Sequence, residues 1–253
     1  MKYYPTIQHE KAANRMVEIF SKDKCVMSML LTCSCARGKA SKDSCLDLCI
    51  LAKNKDDIKK IKRKFNKIYN QDKIFKDLSR VGKYSHIDLD ITDGKITLAE
   101  RGWTSGPDEY ELLVGNIFVY SVILFDRDNY FKNLREKYFP YSPEKLRNKK
   151  FEKAKKYLHN NLDHVFIYVK RELYFQAFKR LYDATREFLQ AIFIKNKKYP
   201  IAYDKWIKEQ LVEILHKPKL YREFVTLYEI KKLESNELIK KANKLKKLAK
   251  KYL

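Results

Sequence analysis

The sequence predicts an α+β protein, with an N-terminal domain of mixed β-sheet flanked by helices (residues 1–140) and a C-terminal α-helical bundle (residues 141–253). Three observations carry this expectation. Only 6 Gly and 6 Pro among 253 residues are too few for a turn-rich β-sandwich or barrel, which needs frequent residues with unusual backbone angles. Runs with the two-residue period of a strand occur only before residue 140, whereas past Pro140 and Pro143 the apolar residues recur with the helical period. The chain is 45% hydrophobic and holds 18 Tyr and 14 Phe, so its formal charge of +23 belongs to a protein able to bury a core and not to a disordered basic tail.

Taken in order, Ala13, Met16, Val17 and Phe20 recur at helical spacing within residues 10–20 and predict an opening amphipathic helix. Residues 25–32 form an apolar run of strand length that ends in small polar side chains. Residues 45–51 alternate, with Leu46, Leu48 and Ile50 on one face and Cys45, Asp47 and Cys49 on the other. Two strands therefore flank a short polar loop. Ile58, Ile61, Phe65 and Ile68 mark a helix over 55–69 with a basic outer face. From His86 to Ile91 the alternation returns, with Ile87, Leu89 and Ile91 facing a core, His86, Asp88 and Asp90 opposite them, and Asp93-Gly94 as a turn. Residues 110–125 fit a helix or a strand. Residues 144–195 predict one or two long helices, and residues 201–215 a further one after the Tyr199-Pro200 break. Beyond Pro218 a final helical segment, residues 235–253, carries seven lysines between Lys240 and Lys251.

The stretch that carries chemistry joins the first two strands: Leu30-Leu31-Thr32-Cys33-Ser34-Cys35-Ala36-Arg37-Gly38, then Ser44-Cys45-Leu46-Asp47. It resembles the signature of the polymerase-β-like nucleotidyltransferases, in which a strand ends in Gly-Ser, a helix start with Ala-Arg-Gly follows, and Ser-Asp-x-Asp lies on the next strand. Ser34, Ala36, Arg37, Gly38, Ser44 and Asp47 stand at the matching spacing. The resemblance implies that residues 1–140 are a nucleotidyltransferase domain. It further implies transfer of a nucleoside monophosphate from a nucleoside triphosphate, with ATP the expected one, supported by Mg²⁺ or Mn²⁺. On this reading Asp47 holds metal, Asp88 or Asp90 is the further catalytic carboxylate and metal ligand from a neighbouring strand, and Ser34, Arg37, Gly38 and Ser44 bind the nucleotide. Two positions depart from the pattern. Cys33 stands where the family has Gly and puts a side chain beside the expected phosphate path. Cys45 stands where the family has the first Asp, and its thiol is a poor partner for Mg²⁺ that suits softer ions such as Zn²⁺. Asp43, two residues upstream, is the nearest substitute.

The stretches Arg171 to Phe178, Arg180-Leu181-Tyr182, Glu187 to Phe193, Tyr199-Pro200 and Lys205-Trp206 look like the helical half of small archaeal and antibiotic-type nucleotidyltransferases. There the bundle closes over the nucleotide, which implies a phosphate contact for Lys205 and a place in the cleft for Arg171 or Tyr174. The acceptor is left open among a small molecule, RNA and a protein. The lysine-rich runs at Lys53–Lys67, Lys145–Lys156 and Lys240–Lys251 read as solvated outer faces or as surfaces for a phosphate backbone. The alternative to an enzyme is a nucleotidyltransferase-fold module, weakened or silenced by Cys45, that binds RNA or protein. All five cysteines, Cys25, Cys33, Cys35, Cys45 and Cys49, read as reduced thiols, because an odd count within 25 residues does not suit a secreted disulfide framework. No run of 18 uncharged apolar residues occurs and no apolar segment follows Met1-Lys2-Tyr3-Tyr4-Pro5, so a cytoplasmic protein without membrane attachment is expected.

Overall fold

The computed structural model of the protein describes residues 3–96, 106–138 and 143–253. These fall into two compact units, residues 3–96 with 113–138 and residues 106–112 with 143–253. The first is α+β and the second is helical, the fold class expected from the sequence.

In the first unit β1 (Val26–Leu31), β2 (Leu46–Ala52), β3 (Ile87–Thr92) and β4 (Val122–Asp126) form one sheet in the order β3-β2-β1-β4. β1 pairs antiparallel with β2 and β4, whereas β2 pairs parallel with β3. A parallel pair needs a long crossover, which α3 (Lys55–Tyr69) and α4 (Lys73–Ser79) supply. The central strands β1 and β2 are buried on both faces, so Leu30, Leu31, Cys49 and Leu51 are core alongside Met29, Leu48 and Ile50. Edge strand β3 keeps one face wet: Ile87 is buried while Asp88 and Asp90 are exposed.

Local caps explain where the helices of this unit begin. α1 (Ile7–Phe20) opens at Ile7 rather than at residue 10 because Thr6 caps it, its Oγ1 accepting from His9 N at 3.4 Å. Its buried face, Ala12, Ala13, Met16 and Phe20, shares a core with Phe75 and Leu78 of α4 and with the sheet. Asn54 caps α3 by accepting from Asp56 N and Asp57 N at 3.0 and 3.1 Å. Ile61 then faces inward, and Lys59, Lys60, Lys62, Arg63 and Lys67 stay exposed. Residues 110–125 contain both alternatives in succession: α5 (Tyr110–Leu113), a π-helical stretch Val114–Val119, and then β4. α6 (Tyr130–Glu136) follows, with Phe131 buried against Phe118 at 5.8 Å between ring centroids.

In the second unit α7 (Glu144–Lys170) and α8 (Tyr174–Lys195) are separate helices, broken where Glu172 adopts a positive φ of 57°. With α9 (Pro218–Val225) and α10 (Glu237–Tyr252) they bury Leu162, Leu181, Phe188, Ile192, Phe224 and Leu245 in a common core. The helix expected over 201–215 is shorter than the periodicity suggests. Its turns at Glu209–Ile214 are π-helical, and residues 201–205 are not helical at all. The buried Gln210 amide takes over their backbone groups: Oε1 accepts from Ile201 N at 3.0 Å, and Nε2 donates to the carbonyls of Ala202 and Lys205 at 2.8 and 3.0 Å. A side chain thereby satisfies the donors and acceptors that a helix would have paired. No helix among the described residues is long and apolar enough to cross a membrane.

The basic runs are only partly solvated faces. Lys246 pairs with Asp163 at 2.9 Å, Lys251 with Glu223 at 2.7 Å, and Lys241 donates to the Thr226 carbonyl at 2.6 Å, so three lysines of α10 fasten it to its own bundle. Lys150 departs from the outer-face expectation altogether. It is buried, with Nζ 2.6 Å from Asp108 and 3.2 Å from Glu111, and Gln190 Nε2 donates to the same two carboxylates at 3.1 and 3.0 Å. Residues 106–112 are thus held in the helical unit by one cation and one amide.

Burial, and then the nearby Asp108, push the Glu111 carboxyl up to about 7, against the opposing pull of Lys150. One cation facing two carboxylates is neutral only when that pair keeps a proton. The native protein therefore binds a proton between the ordinary carboxylate range and about 7 that the unfolded chain has already released, so stability falls as pH rises through this window. Glu111→Gln is expected to remove that slope, measured as the difference between wild-type and variant denaturation midpoints from about pH 5 to about pH 8.

Candidate active site

The chain leaves β1 at Leu31, and Thr32 N donates to the Asp47 carbonyl at 3.0 Å, so the turn that follows is tied to β2. The helix start expected after this strand is a single turn, α2 (Cys33–Ala36). Gly38, at φ 67°, closes it: Gly38 N donates to Cys35 O at 3.0 Å and Lys39 N to Ser34 O at 2.9 Å. This is the paired bonding of a Schellman motif, and it gives Gly38 a conformational role that a Cβ would oppose. Ser34 and Arg37 lie on this turn, both half-buried.

Ser44 braces the loop. Its Oγ accepts from Ser41 N at 2.9 Å, and its carbonyl lies 3.0 Å from His9 Nε2. A carbonyl only accepts, so Nε2 of the buried His9 carries the proton and Nδ1 receives the Thr6 hydroxyl at 2.8 Å. His9 thus links the loop to α1, a role with no sequence signal beyond Thr6 standing at the helix start. Asp43 is occupied elsewhere. Its Oδ1 accepts from Lys83 N at 3.2 Å, and the loop packs so closely on Gly82 that a Cβ there would lie 2.6 Å from Oδ1 and 2.7 Å from the Lys42 carbonyl. Asp43 is not in the group of donor atoms that gathers around Asp47 and Asp88.

The carboxylates are set by strand register. In the parallel β2–β3 pair Asp47 lies opposite Asp88 and Cys49 opposite Asp90. Cys45 precedes β2 by one residue and stands two residues before Asp47, on the same side of the strand. Its Sγ donates to Asp47 Oδ1 at 3.2 Å. One ligand atom each from Cys45, Asp47 and Asp88 lie within 4.8 Å of one another. Asp90 is outside that group, one alternation or about 6.6 Å further along β3. Of the two candidates the sequence left open, the fold brings Asp88 to Asp47.

The electrostatics follow from this crowding. Burial pushes the Cys45 thiol up to about 12, reinforced by Asp47 and Asp88. Cys35 is likewise pushed up to about 12 by burial and then by Asp47, Cys45 and Cys33. Partial desolvation and then Asp88 hold the Asp90 carboxyl above its ordinary value. The face thus gathers negative charge and protonated thiols. Asp47 and Asp88 offer oxygen donors that suit Mg²⁺ or Mn²⁺, whereas Cys45 offers a sulfur that does not suit Mg²⁺.

The other residues singled out in the sequence lie in the helical unit. Lys205 belongs to the irregular segment held by Gln210 and lines a cavity of about 450 Å³ with Trp206, Tyr221 and Tyr228. Arg171 follows the last residue of α7, and Tyr174 opens α8. In the sheet unit a cavity of about 850 Å³ is lined by Gln8, Lys11, Lys73, Asp77 and Arg80 and contains none of the sequence-predicted site residues.

No protein-family model matches the chain, and no curated protein matches it. Among solved structures the chain is similar to a nucleotidyltransferase-like protein from Exiguobacterium sibiricum, with 12% identity, a TM-score of 0.48, and coverage of 96% of this chain and 74% of that one.

Cys33 has φ 52°. The backbone is therefore left-handed at this position although a side chain is present, a strain of about 1–2 kcal/mol for an L-residue. Cys33→Gly is expected to leave stability unchanged or slightly raised, because relief of that strain offsets the added freedom of the unfolded chain. Cys33→Val, β-branched, is expected to cost roughly 1–3 kcal/mol at the same place. Urea denaturation of both variants checks this, and equal losses in the two would contradict it.

Proposed function

We propose that the protein binds a nucleoside triphosphate, ATP in the first instance, and transfers its nucleoside monophosphate to an acceptor, in the manner of the polymerase-β-like nucleotidyltransferases that its sequence resembles. The observation that carries this reading is the convergence of Asp47 and Asp88 from neighbouring strands, directly after the turn bearing Ser34, Arg37 and Gly38. In such a transfer the acceptor oxygen attacks the α-phosphorus, its proton is lost to a base, and the bond to the bridging oxygen breaks to release pyrophosphate. A divalent cation held by Asp47 and Asp88 would supply neutralising charge on the phosphates and ease deprotonation of the acceptor.

The chain's own residues take the remaining roles. Arg37 offers a planar, permanently charged fork to phosphate oxygens, and Ser34 a small hydroxyl where the chain turns away from β1. Thr32 N–H fixes that turn to Asp47, so the phosphate-facing and metal-facing parts share one rigid support. Asp88, exposed at the sheet edge, is the carboxylate best placed to accept the acceptor proton. A second reading, a binding module for RNA or protein without turnover, draws support from Cys45 standing where the resembled family has a carboxylate.

A thermal-shift experiment separates the two. Triphosphate with Mg²⁺ or Mn²⁺ is expected to raise the melting temperature, by the equivalent of about 2.7 kcal/mol at a hundredfold excess over Kd. Asp47→Ala and Asp88→Ala are expected to abolish the rise, and Asp90→Asn to retain most of it. Absence of any rise with Mg²⁺, Mn²⁺, Zn²⁺ or Co²⁺ would overturn the transferase reading.

A further inference from the structure

We propose that Cys45 Sγ is itself a metal ligand, and that the Cys45–Asp47–Asp88 group selects a sulfur-binding divalent cation of the Zn²⁺ and Co²⁺ kind over Mg²⁺. The inference rests on the reading of this face as a metal site and adds the identity of its ion. Its ground is the donor set. Mg²⁺ demands six oxygen neighbours in near-ideal octahedral geometry and dehydrates reluctantly, whereas thiolate, carboxylate and an open position are what catalytic Zn²⁺ accepts.

Distances agree with that coordination. Around a tetrahedral ion with bonds of about 2.3 Å to sulfur and about 2.0–2.2 Å to oxygen, neighbouring donors stand about 3.4–3.6 Å apart. Cys45 Sγ and Asp47 Oδ1 are already at 3.2 Å. The three donor atoms all lie within 4.8 Å of one another, and Asp88 is exposed and so free to swing about its side-chain torsions to close the remaining gap.

The sulfur is also held in place. The Cys45 carbonyl accepts from Cys35 Sγ at 3.7 Å, the following Leu46 N donates to the His86 carbonyl at 2.8 Å, and the preceding Ser44 carbonyl is bonded to His9. Anchors on both sides fix the backbone from which Sγ projects. On binding, the cation replaces the thiol proton, which leaves to solvent, and a metal–sulfur bond forms with no change of oxidation state. The three protein donors leave a fourth position open to a water or a phosphate oxygen.

The test uses the full chain without nucleotide, titrated with Co²⁺ and followed by the near-ultraviolet sulfur-to-cobalt charge-transfer band. The expected result is a band that saturates at one ion per chain, disappears on stoichiometric Zn²⁺ and survives a large excess of Mg²⁺. Cys45→Ser should lose the band, Cys33→Ser should keep it, and Cys45→Asp should lose it and let Mg²⁺ compete with Co²⁺. Asp88→Asn, at an exposed position, should keep the band but require more Co²⁺ to reach it. No band, a band that persists in Cys45→Ser, unaltered affinity in Asp88→Asn, or ready displacement by Mg²⁺ would each overturn the proposal. Because no triphosphate is present, a missing band beside an intact triphosphate-induced melting shift rejects the ion assignment alone. A band without a triphosphate-induced shift in the presence of Co²⁺ or Zn²⁺ as well as Mg²⁺ and Mn²⁺ rejects the transferase reading alone.

Discussion

The parallel pairing of β2 with β3 is the constraint on which the site depends. It sets Asp47 beside Asp88, two like charges on neighbouring strands, which in an ordinary sheet is a destabilising arrangement. A slip of one residue would turn Asp88 to the other face and Ile87 to solvent, so burial of Ile87 and Leu48 enforces the register that brings the carboxylates together. The crossover that makes a parallel pair possible brings Ile61, Phe75 and Leu78 into the same core, so hydrophobic burial in α3 and α4 supports the repulsion at the sheet edge.

The thiols temper that repulsion. Cys45 donates to Asp47, and burial keeps its proton in place when no cation is bound, so one carboxylate has a partner where the resembled family has a third negative charge. Cys33 is the opposite case, since the backbone holds it in a conformation suited to glycine. One thiol gives a carboxylate of the face a donor, and the other places a side chain on a left-handed turn.

Much of this was legible in the residues. β3 and the long helices follow from apolar periodicity, because each has one buried face and its pattern records it, whereas β1, buried on both faces, shows as a continuous apolar run. The turn after β1, closed by Gly38, was legible from spacing. What escaped depends on contacts distant in sequence. Asp88 rather than Asp90 is chosen by register with β2, which no local pattern encodes. Residues 201–205 have helical apolar spacing, yet the Gln210 amide bonds their backbone groups first. Lys150 looks like one more cation in a basic run until Asp108 and Glu111 are seen against it. His9 gave no warning of its contact with Ser44, because a single buried imidazole has no period.

Residues 106–112 belong to the helical unit although the chain then returns to the sheet unit for β4. The chain therefore crosses between the units more than once, and neither corresponds to a contiguous stretch of gene. A fragment cut after residue 140 to isolate the helices would leave behind Asp108 and Glu111, and with them the only carboxylates paired with the buried Lys150 among the described residues. The same interleaving orders assembly on the ribosome: Asp108 and Glu111 emerge well before Lys150 and Gln190, and the helical unit can close only after β4 has been made and the second crossing completed.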